Sequence, residues 1–509
     1  MFQLLAALHK MKLFSLKGLA GSVSAAHRNG VNLMMLLETA ENAWGSRPAI
    51  TDDYGTVTYQ ELACMARELA DRFYEEEHVR PGETVVFACQ NHAGFVSALF
   101  GAARLGADCC LLNADCSAEQ LRAVIGERQP ALIVYDQEIL SCRFIAEEVH
   151  GRHLEIRSGR VEFTERRSEK PKPGCPPRPS GHLLLLTGGT TGKPKEAGHK
   201  PSLFRYLTPF LALLTKLRLP EYRTMYTATP LYHGYGLAIM LVSVALGQLL
   251  ILTRTFKAKQ ACFLVTCHRV DVLIAVPLMV QKMLEEDEHS LSPLKCIASG
   301  GAPLPSKLAA EITRVCGPVL YNLYGTTEAG LRTIATPQDL RTEPNTIGRR
   351  LKGSRLVVLD ENSRRARQGE TGRICAKVHR QGGTDQTCWM DTGDLGYQNE
   401  KGLFILCGRA DDMIVSGGEN VYPIEVERVL VGHPAIAEAT VIGVEDELFG
   451  ERLQAFIQLE DGYALTEEEL SQWLKKRLAR FQQPARIRFV ERLPHTPLGK
   501  PDKRRLASL

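Results

Sequence analysis

The sequence predicts an α/β protein: a large N-terminal domain of stacked αβ sub-domains with mixed and parallel sheets, then a small α+β C-terminal domain. Three observations carry this. Strand and helix patterns alternate over residues 84–136, the same style returns over residues 262–324, and the character of the chain changes after residue 411.

In the first region "TVVFACQN" is a buried strand, "AGFVSALFGAARLG" a helix closed by Gly106, and "ADCCLLN" a second strand. "SAEQLRAVIGE" is a helix whose Ser117 and Gln120 match a capping box, and "ALIVYD" is a third strand. Alternation of this kind implies right-handed crossovers and a parallel sheet covered on both faces, with ligands at the carboxyl ends of its strands. In the second region "VDVLIAVP", "LKCIASGGAPL" and "PVLYNLYG" are strands that end in turns. Between the two, the apolar run Leu237 to Leu252 falls short of the ~20 residues a bilayer needs. Gly247 and Gln248 break it, so it predicts a buried helix followed by a buried strand. The proline-rich stretch "ERRSEKPKPGCPPRPSG" (165–181) reads as an exposed loop. Past residue 411 come helix "PIEVERVLVGH", strands "EATVIGV" and "LQAFIQL", helix "TEEELSQWLKKRLA" and a basic tail. Arg409 to Asp411 is a candidate hinge. The division expected is an N-terminal extension (1–30), a large domain (31–408), the hinge (409–411) and a C-terminal domain (412–509).

A chain of 509 residues exceeds one comfortable core. With 44% hydrophobic and 24% charged residues it reads as a globular cytoplasmic protein, and a net charge of +4 is too small to argue for nucleic acid. Its 14 cysteines form no CxxC, which argues against zinc or a disulfide framework and for a reducing compartment. No signal peptide is legible. The first 30 residues stand apart, since Lys10, Lys12, Lys17 and Arg28 occur before the first acid, Glu38. Phe2, Leu5, Leu8 and Leu4, Met11 recur at helical steps. Two readings stand: residues 1–28 rest on anionic lipid at the inner face of the membrane, or they pack on the main body.

The strand "HLLLL" runs into "TGGTTGKPK", Thr187 to Lys195. This is not a Walker loop. Gly188 and Gly192 have three residues between them rather than four, and Lys193 is followed by Pro194, which has no hydroxyl for a metal. Glycines still let backbone N–H groups curl around an anion, the threonine hydroxyls add donors, and Lys195 supplies a countercharge.

"TGGTTGKPK", "YNLYGTTEAG", "MDTGDLG", "GRADDMIVSGGENVYPIEVE" and "PLGKPDKRRL" occur in the order and near the spacing of the adenylate-forming superfamily, which the chain resembles from about residue 35 onward. The whole-chain texture is similar to bacterial fatty-acyl-CoA synthetases. The resemblance implies ATP, Mg2+ and coenzyme A as cofactors. A carboxylate attacks the α-phosphate to give an acyl-adenylate, and a thiol then displaces AMP, so catalysis is mostly positioning and charge neutralisation.

It also implies site residues. Thr187, Gly188, Gly189, Thr190, Thr191, Gly192 and Lys195 clamp the β- and γ-phosphates, with Gly188 and Glu196 departing from the commoner serine and glycine. Gly300, Gly301, Ala302 and Pro303 line the adenine. In the segment Asn322, Tyr324, Gly325, Thr326, Tyr324 stacks on the base; after it Thr327 contacts the α-phosphate and Glu328 ligates magnesium. Asp394 accepts the ribose hydroxyls, Arg409 lies near ribose and phosphate, and Asp411 is the hinge. Lys500 offsets charge in the pentavalent transition state. The C-terminal domain is expected to be mobile, exchanging Lys500 for the loop of Gly417 and Gly418, which borders the pantetheine channel.

Relatives that activate amino acids carry an aspartate in a stretch like FDxS. Here that stretch is "PLYHGYGLA", with His233 and no acid, so an ammonium would be left unpaired. The expected substrate is a fatty acid, with His233 orienting its carboxylate. The alternatives are an acyl or aryl ligase that loads a carrier-protein thiol, and a degenerate relative that only binds nucleotide. The segment "VHRQGGTDQTC" before "WMDTGD" is shortened, which leaves chain length open.

Overall fold

The computed structural model describes residues 16–114, 116, 118–139, 153–157, 159, 181–187, 195–199, 203–326, 328–379, 387–416, 419–446, 450–479, 482–496 and 499–508. The chain folds as two units, residues 1–275 with 286–298, and residues 276–285 with 299–509. Ser117 of the expected capping box and residues 165–180 of the expected loop lie outside the described residues.

The first unit holds the strand–helix alternation that the sequence predicts. One sheet runs, in spatial order, His153–Ile156, Leu132–Asp136, Thr84–Ala88, Asp108–Leu111, Leu183–Thr187 and Lys195–His199. Its pairs are parallel except the last. Helices Ala93–Arg104 and Ala118–Arg128 make the crossovers. Four parallel strands, Val272–Ala275, Thr224–Thr227, Leu249–Leu252 and Pro48–Asp52, lie side by side in that order, and Gly55–Thr58 closes antiparallel on the last. Runs such as Val272–Ala275 are buried along their whole length, as a sheet covered on both faces requires.

Polar groups set where these elements begin. The Asp136 carboxylate accepts from Gln90 N at 2.8 Å and lies 2.7 Å from His92 Nε2. His92 Nδ1 in turn accepts from Phe95 N at 3.0 Å, which leaves Nε2 as the protonated nitrogen facing the carboxylate. Asp52 accepts from Ala93 N at 2.8 Å. Two side chains thereby satisfy the exposed amides of the helix Ala93–Arg104.

The apolar run resolves as expected into helix Gly234–Leu246 and strand Leu249–Leu252. Gly247 ends the helix at φ 64°, and a Cβ there would meet the buried Trp44 ring at 2.2 Å. Near the N-terminus, helix Leu16–Asn29 packs on Leu33–Trp44 and buries Ala25 and Asn29. Residues 1–15 lie outside the described residues. Among the described residues no helix is long and apolar enough to cross a membrane.

The second unit contains an antiparallel array that the sequence reading leaves largely unassigned. Leu356–Leu359, Gly372–His379, Thr387–Gln398, Phe404–Arg409, Thr346–Arg350, Gly330–Ala335 and Leu320–Thr326 follow one another across it. Leu356, Ile374, Ala376 and Phe404 form its core. The C-terminal stretch has a core of its own, with Val421, Val426, Leu430, Val441, Leu453 and Leu470. There Ile436–Asp446 pairs with Gly450–Leu459, and helices Pro423–Val431 and Glu467–Lys475 cover the sheet. Thr466 opens the second helix with a capping box to Glu469.

Gly247→Ala should cost about 2–4 kcal/mol, from the left-handed backbone and the overlap with Trp44. A clearly lowered melting temperature is the expected reading.

Candidate active site

In the first unit two of the predicted segments are neighbours. Strand Leu183–Thr187 delivers Thr187 opposite Lys195, so the two ends of the glycine-rich loop are held in register by a β-pair. Residues 188–194, which include Gly188, Gly189, Thr190, Thr191 and Gly192, lie outside the described residues. A Cβ on Gly234 would sit 3.2 Å from Leu185 Cδ1, which places the His233 turn against the strand that feeds this loop.

The His233 turn is tied down on several sides. Buried Asn91 accepts from Leu231 N at 2.7 Å and donates to Thr229 O at 3.1 Å, a two-point clamp on the backbone. Ala228 N donates to Ile274 O, and Thr227 Oγ1 lies 2.9 Å from Thr229 Oγ1. Gly236 has no room for a side chain, since a Cβ would meet Pro230 O at 2.3 Å. His233 itself is half-buried with its ring 4.6 Å from that of Tyr232, and its carbonyl starts the helix Gly234–Leu246 by accepting from Leu237 N. Tyr235 donates to Ala298 O at 2.8 Å.

In the second unit the predicted residues converge on Asp394. Tyr324 donates to Asp394 Oδ2 at 2.6 Å, Arg409 Nη1 lies 3.4 Å from Oδ1, and Thr392 Oγ1 receives the Asp394 amide at 3.3 Å. The sheet register sets this up by pairing Asp394 with Arg409 across adjacent strands. Gly393, at φ 75°, makes the bend, and a Cβ there would meet Arg409 Nη2 at 2.8 Å. Burial raises the Asp394 carboxyl above its ordinary value, opposed by the Tyr324 hydrogen bond and the charges of Arg409 and Lys500. Burial, with Asp394 nearby, likewise pushes the Tyr324 phenol up.

Other predicted residues flank this centre. Asn322 donates to Thr346 O at 3.0 Å, which ties its strand to a neighbour. Gly325 sits in a hairpin so tight that a Cβ would meet Gly330 O at 2.4 Å. Thr326 Oγ1 accepts from Ala329 N at 3.0 Å and closes the turn that presents exposed Glu328. Thr327 lies outside the described residues, as do Gly417 and Gly418. Asp411 falls in a short 3-10 turn, Ala410–Asp412. Gly300 abuts Leu323 O, and Ala302 and Pro303 follow in the turn.

One valine links two of the motifs. A Cβ on Gly301 would be 3.6 Å from Val276 Cγ1, and one on Gly499 would be 3.0 Å from Val276 Cγ2. The loop carrying Lys500 and the loop expected beside the adenine therefore share a wall. Lys307 pairs with Glu460, and Lys503 pairs with Asp412 at 3.0 Å.

A carboxylate that accepts from Tyr324 and Arg409 and lies in the field of Lys500 is suited to hydroxyl groups of a ribose, and the exposed Glu328 offers the hard oxygen that Mg2+ takes. Residues 37–381 match the model of the AMP-binding enzyme family, and residues 425–500 match that of the AMP-binding enzyme C-terminal domain. The chain belongs to the AMP-binding enzyme family. It is 30% identical over 478 residues to a 2-succinylbenzoate–CoA ligase of Geobacillus sp., covering 89% of this chain and 93% of the relative. It is 32% identical over 350 residues to the medium/long-chain-fatty-acid–CoA ligase FadD8 of Mycobacterium tuberculosis, covering 63% of this chain and 60% of that one. Its fold matches the o-succinylbenzoate CoA synthetase of Bacillus subtilis solved with an acyl-adenylate. The TM-score is 0.78 at 27% identity, over 92% of this chain and 97% of that one. Adenylate-forming CoA ligases use ATP, Mg2+ and coenzyme A.

Sequence reasoning missed two residues of this AMP-binding enzyme that hold candidate site residues in place, one in each unit. Thr392 was quoted within a motif and given no role, yet its hydroxyl joins Tyr324, the Asp394 amide and Ile374 O. Asn91 sits 142 positions before His233, and its only sequence signal is a polar triplet, "QNH", at the end of a buried strand. Asn91→Ala leaves a buried N–H and a buried C=O without partners, so it should cost about 2–4 kcal/mol in chemical denaturation.

Proposed function

We propose that this chain is an ATP-dependent acid–CoA ligase that couples a carboxylic acid to AMP, releases pyrophosphate, and passes the acyl group to the thiol of coenzyme A. One observation supports it most: Lys500 bears electrostatically on the same half-buried carboxylate, Asp394, that Tyr324 and Arg409 hold. In this reading Asp394 accepts the ribose hydroxyls, Tyr324 faces the base, and Arg409 spans ribose and phosphate. The loop Thr187 to Lys195 and Thr327 hold the phosphates, and Glu328 binds Mg2+. Lys500 neutralises charge that grows at the α-phosphate, an effect strongest in a water-poor site. The segment from residue 412 onward turns about residues 409–411, and Gly417 and Gly418 leave space for the pantetheine arm.

The acid we propose is a fatty acid, oriented by His233. The helix Gly234–Leu246 that follows has only Tyr235 and Ser243 as polar side chains. Ser243 is buried, and the Tyr235 hydroxyl is bonded to Ala298 O. A second carboxylate, as 2-succinylbenzoate carries, would need donors of its own in such surroundings. The test is a panel of straight-chain fatty acids, benzoate and 2-succinylbenzoate against CoA and a carrier protein, with AMP release as readout. Turnover of fatty acids with CoA is expected. Turnover of 2-succinylbenzoate alone would overturn the choice of acid, and loading of the carrier protein alone would overturn the choice of acceptor.

Lys500→Ala should lower acid-dependent ATP–pyrophosphate exchange by about 10²–10³-fold. Thioester formation from supplied acyl-adenylate should largely survive; equal loss of both would contradict the role.

Because burial raises the Asp394 carboxyl above 3.8, its acceptor form is lost on acidification sooner than an exposed aspartate's. KM for ATP should therefore climb as pH falls through that raised value. Tyr324→Phe removes a hydrogen bond that opposes the shift, so the climb should begin at higher pH. An unmoved inflection would disprove the coupling.

A further inference from the structure

We propose that His495 is a positioning residue for Lys500, clamping the base of the hairpin that carries the lysine to the strand Ile436–Asp446. This rests on the reading of Lys500 given above. The hairpin is closed by short backbone bonds. His495 bridges Pro501, Thr496 N donates to Lys500 O at 2.8 Å, and Gly499 N donates to Thr496 O at 2.8 Å. Asp502 N donates to Pro494 O at 2.8 Å just outside it. Gly499 makes the turn at φ 71° against Val276 and Leu278. Where Lys500 points therefore depends on how the base of this hairpin is held.

His495 holds it from both ring nitrogens. Nε2 lies 2.7 Å from Glu438 Oε1, and Nδ1 lies 2.9 Å from Leu493 O. A carboxylate and a carbonyl only accept, so a ring that satisfies both carries a proton on each nitrogen. Glu438 stands on a strand that pairs with Gly450–Leu459 along nearly its whole length, which makes it a firm anchor. The charged groups bearing on the ring are Glu438, which favours the cation, and Lys282 on helix Pro277–Asp287, which opposes it. Glu438 in turn acts on half-buried Glu427, whose pKa desolvation lifts to about 7. On balance His495 titrates above its ordinary 6.5, first because of the Glu438 hydrogen bond and against partial burial. The clamp is thus complete below 6.5 and is lost as pH rises through the higher value of the folded protein.

The experiment compares wild type, His495→Ala, Glu438→Gln and Lys500→Ala in two half-reactions. One is ATP–pyrophosphate exchange with decanoate or 2-succinylbenzoate, whichever the wild type turns over, from about pH 6 to about pH 9. The other is thioester formation from the synthetic acyl-adenylate and CoA. Expected are an exchange rate about 10- to 100-fold lower in His495→Ala with thioester formation retained. The alkaline fall of exchange should move to lower pH in Glu438→Gln, because the imidazolium loses its counter-charge. Unchanged exchange in His495→Ala, or an alkaline fall that stays put in Glu438→Gln, overturns the proposal. Should His495→Ala not fold, the near-isosteric Glu438→Gln decides alone. Exchange that survives Lys500→Ala refutes instead the role of Lys500 on which the proposal rests.

Discussion

A carboxylate largely withdrawn from water needs donors around it, and Asp394 dictates much of what lies near it. Tyr324 donates to the carboxylate, Thr392 accepts the Asp394 amide, Arg409 is an adjacent cation and Lys500 a more distant charge. Each comes from a different stretch of chain, so the strands Leu320–Thr326, Thr387–Gln398 and Phe404–Arg409 must hold their register for the charge to be tolerated. The bend at Gly393 and the bulge between Leu395 and Gly396 serve that register. Removing Tyr324's donor leaves more of the carboxylate's desolvation cost uncompensated.

The first unit solves a similar problem at the end of strand Thr84–Ala88. Gln90, Asn91 and His92 are consecutive, and each reaches a different element: Gln90 accepts from Arg254, Asn91 grips the turn before His233, and His92 meets Asp136. A neutral amide suits the His233 turn because a charge buried there would need a counter-ion. The strand end that the parallel-sheet topology leaves open is thus used to fix two backbone segments at once.

What was legible in the sequence follows from how strongly chemistry restricts each position. Asp394, Arg409 and Tyr324 could be named because each has a motif around it, and they do meet in space. Parallel strands such as Thr84–Ala88 and Val272–Ala275 were legible because burial on both faces makes them continuous apolar runs. The antiparallel strands from Thr346 to Arg409 were not. They are neither continuously buried nor cleanly alternating: Thr346–Arg350 has three buried residues and then two exposed ones, and register shifts at Gly348 and Gly396 break any period of two. Asn91 and His495 were passed over for another reason: each is a single polar residue whose partner lies far along the chain.

The sequence by itself determined the class of fold, the family and the residue types able to hold a nucleotide, because glycine turns, a lysine after glycine and acids set in fixed motifs are restricted locally by the chemistry they serve. Only the tertiary structure decided which of those groups share an environment. That Val276 backs both Gly301 and Gly499, that Asp394 feels Lys500, and that His495 finds Glu438 are consequences of strand register and domain packing. Hydrogen bonds and Coulomb forces act over a few ångströms of space, and a linear sequence does not carry those distances.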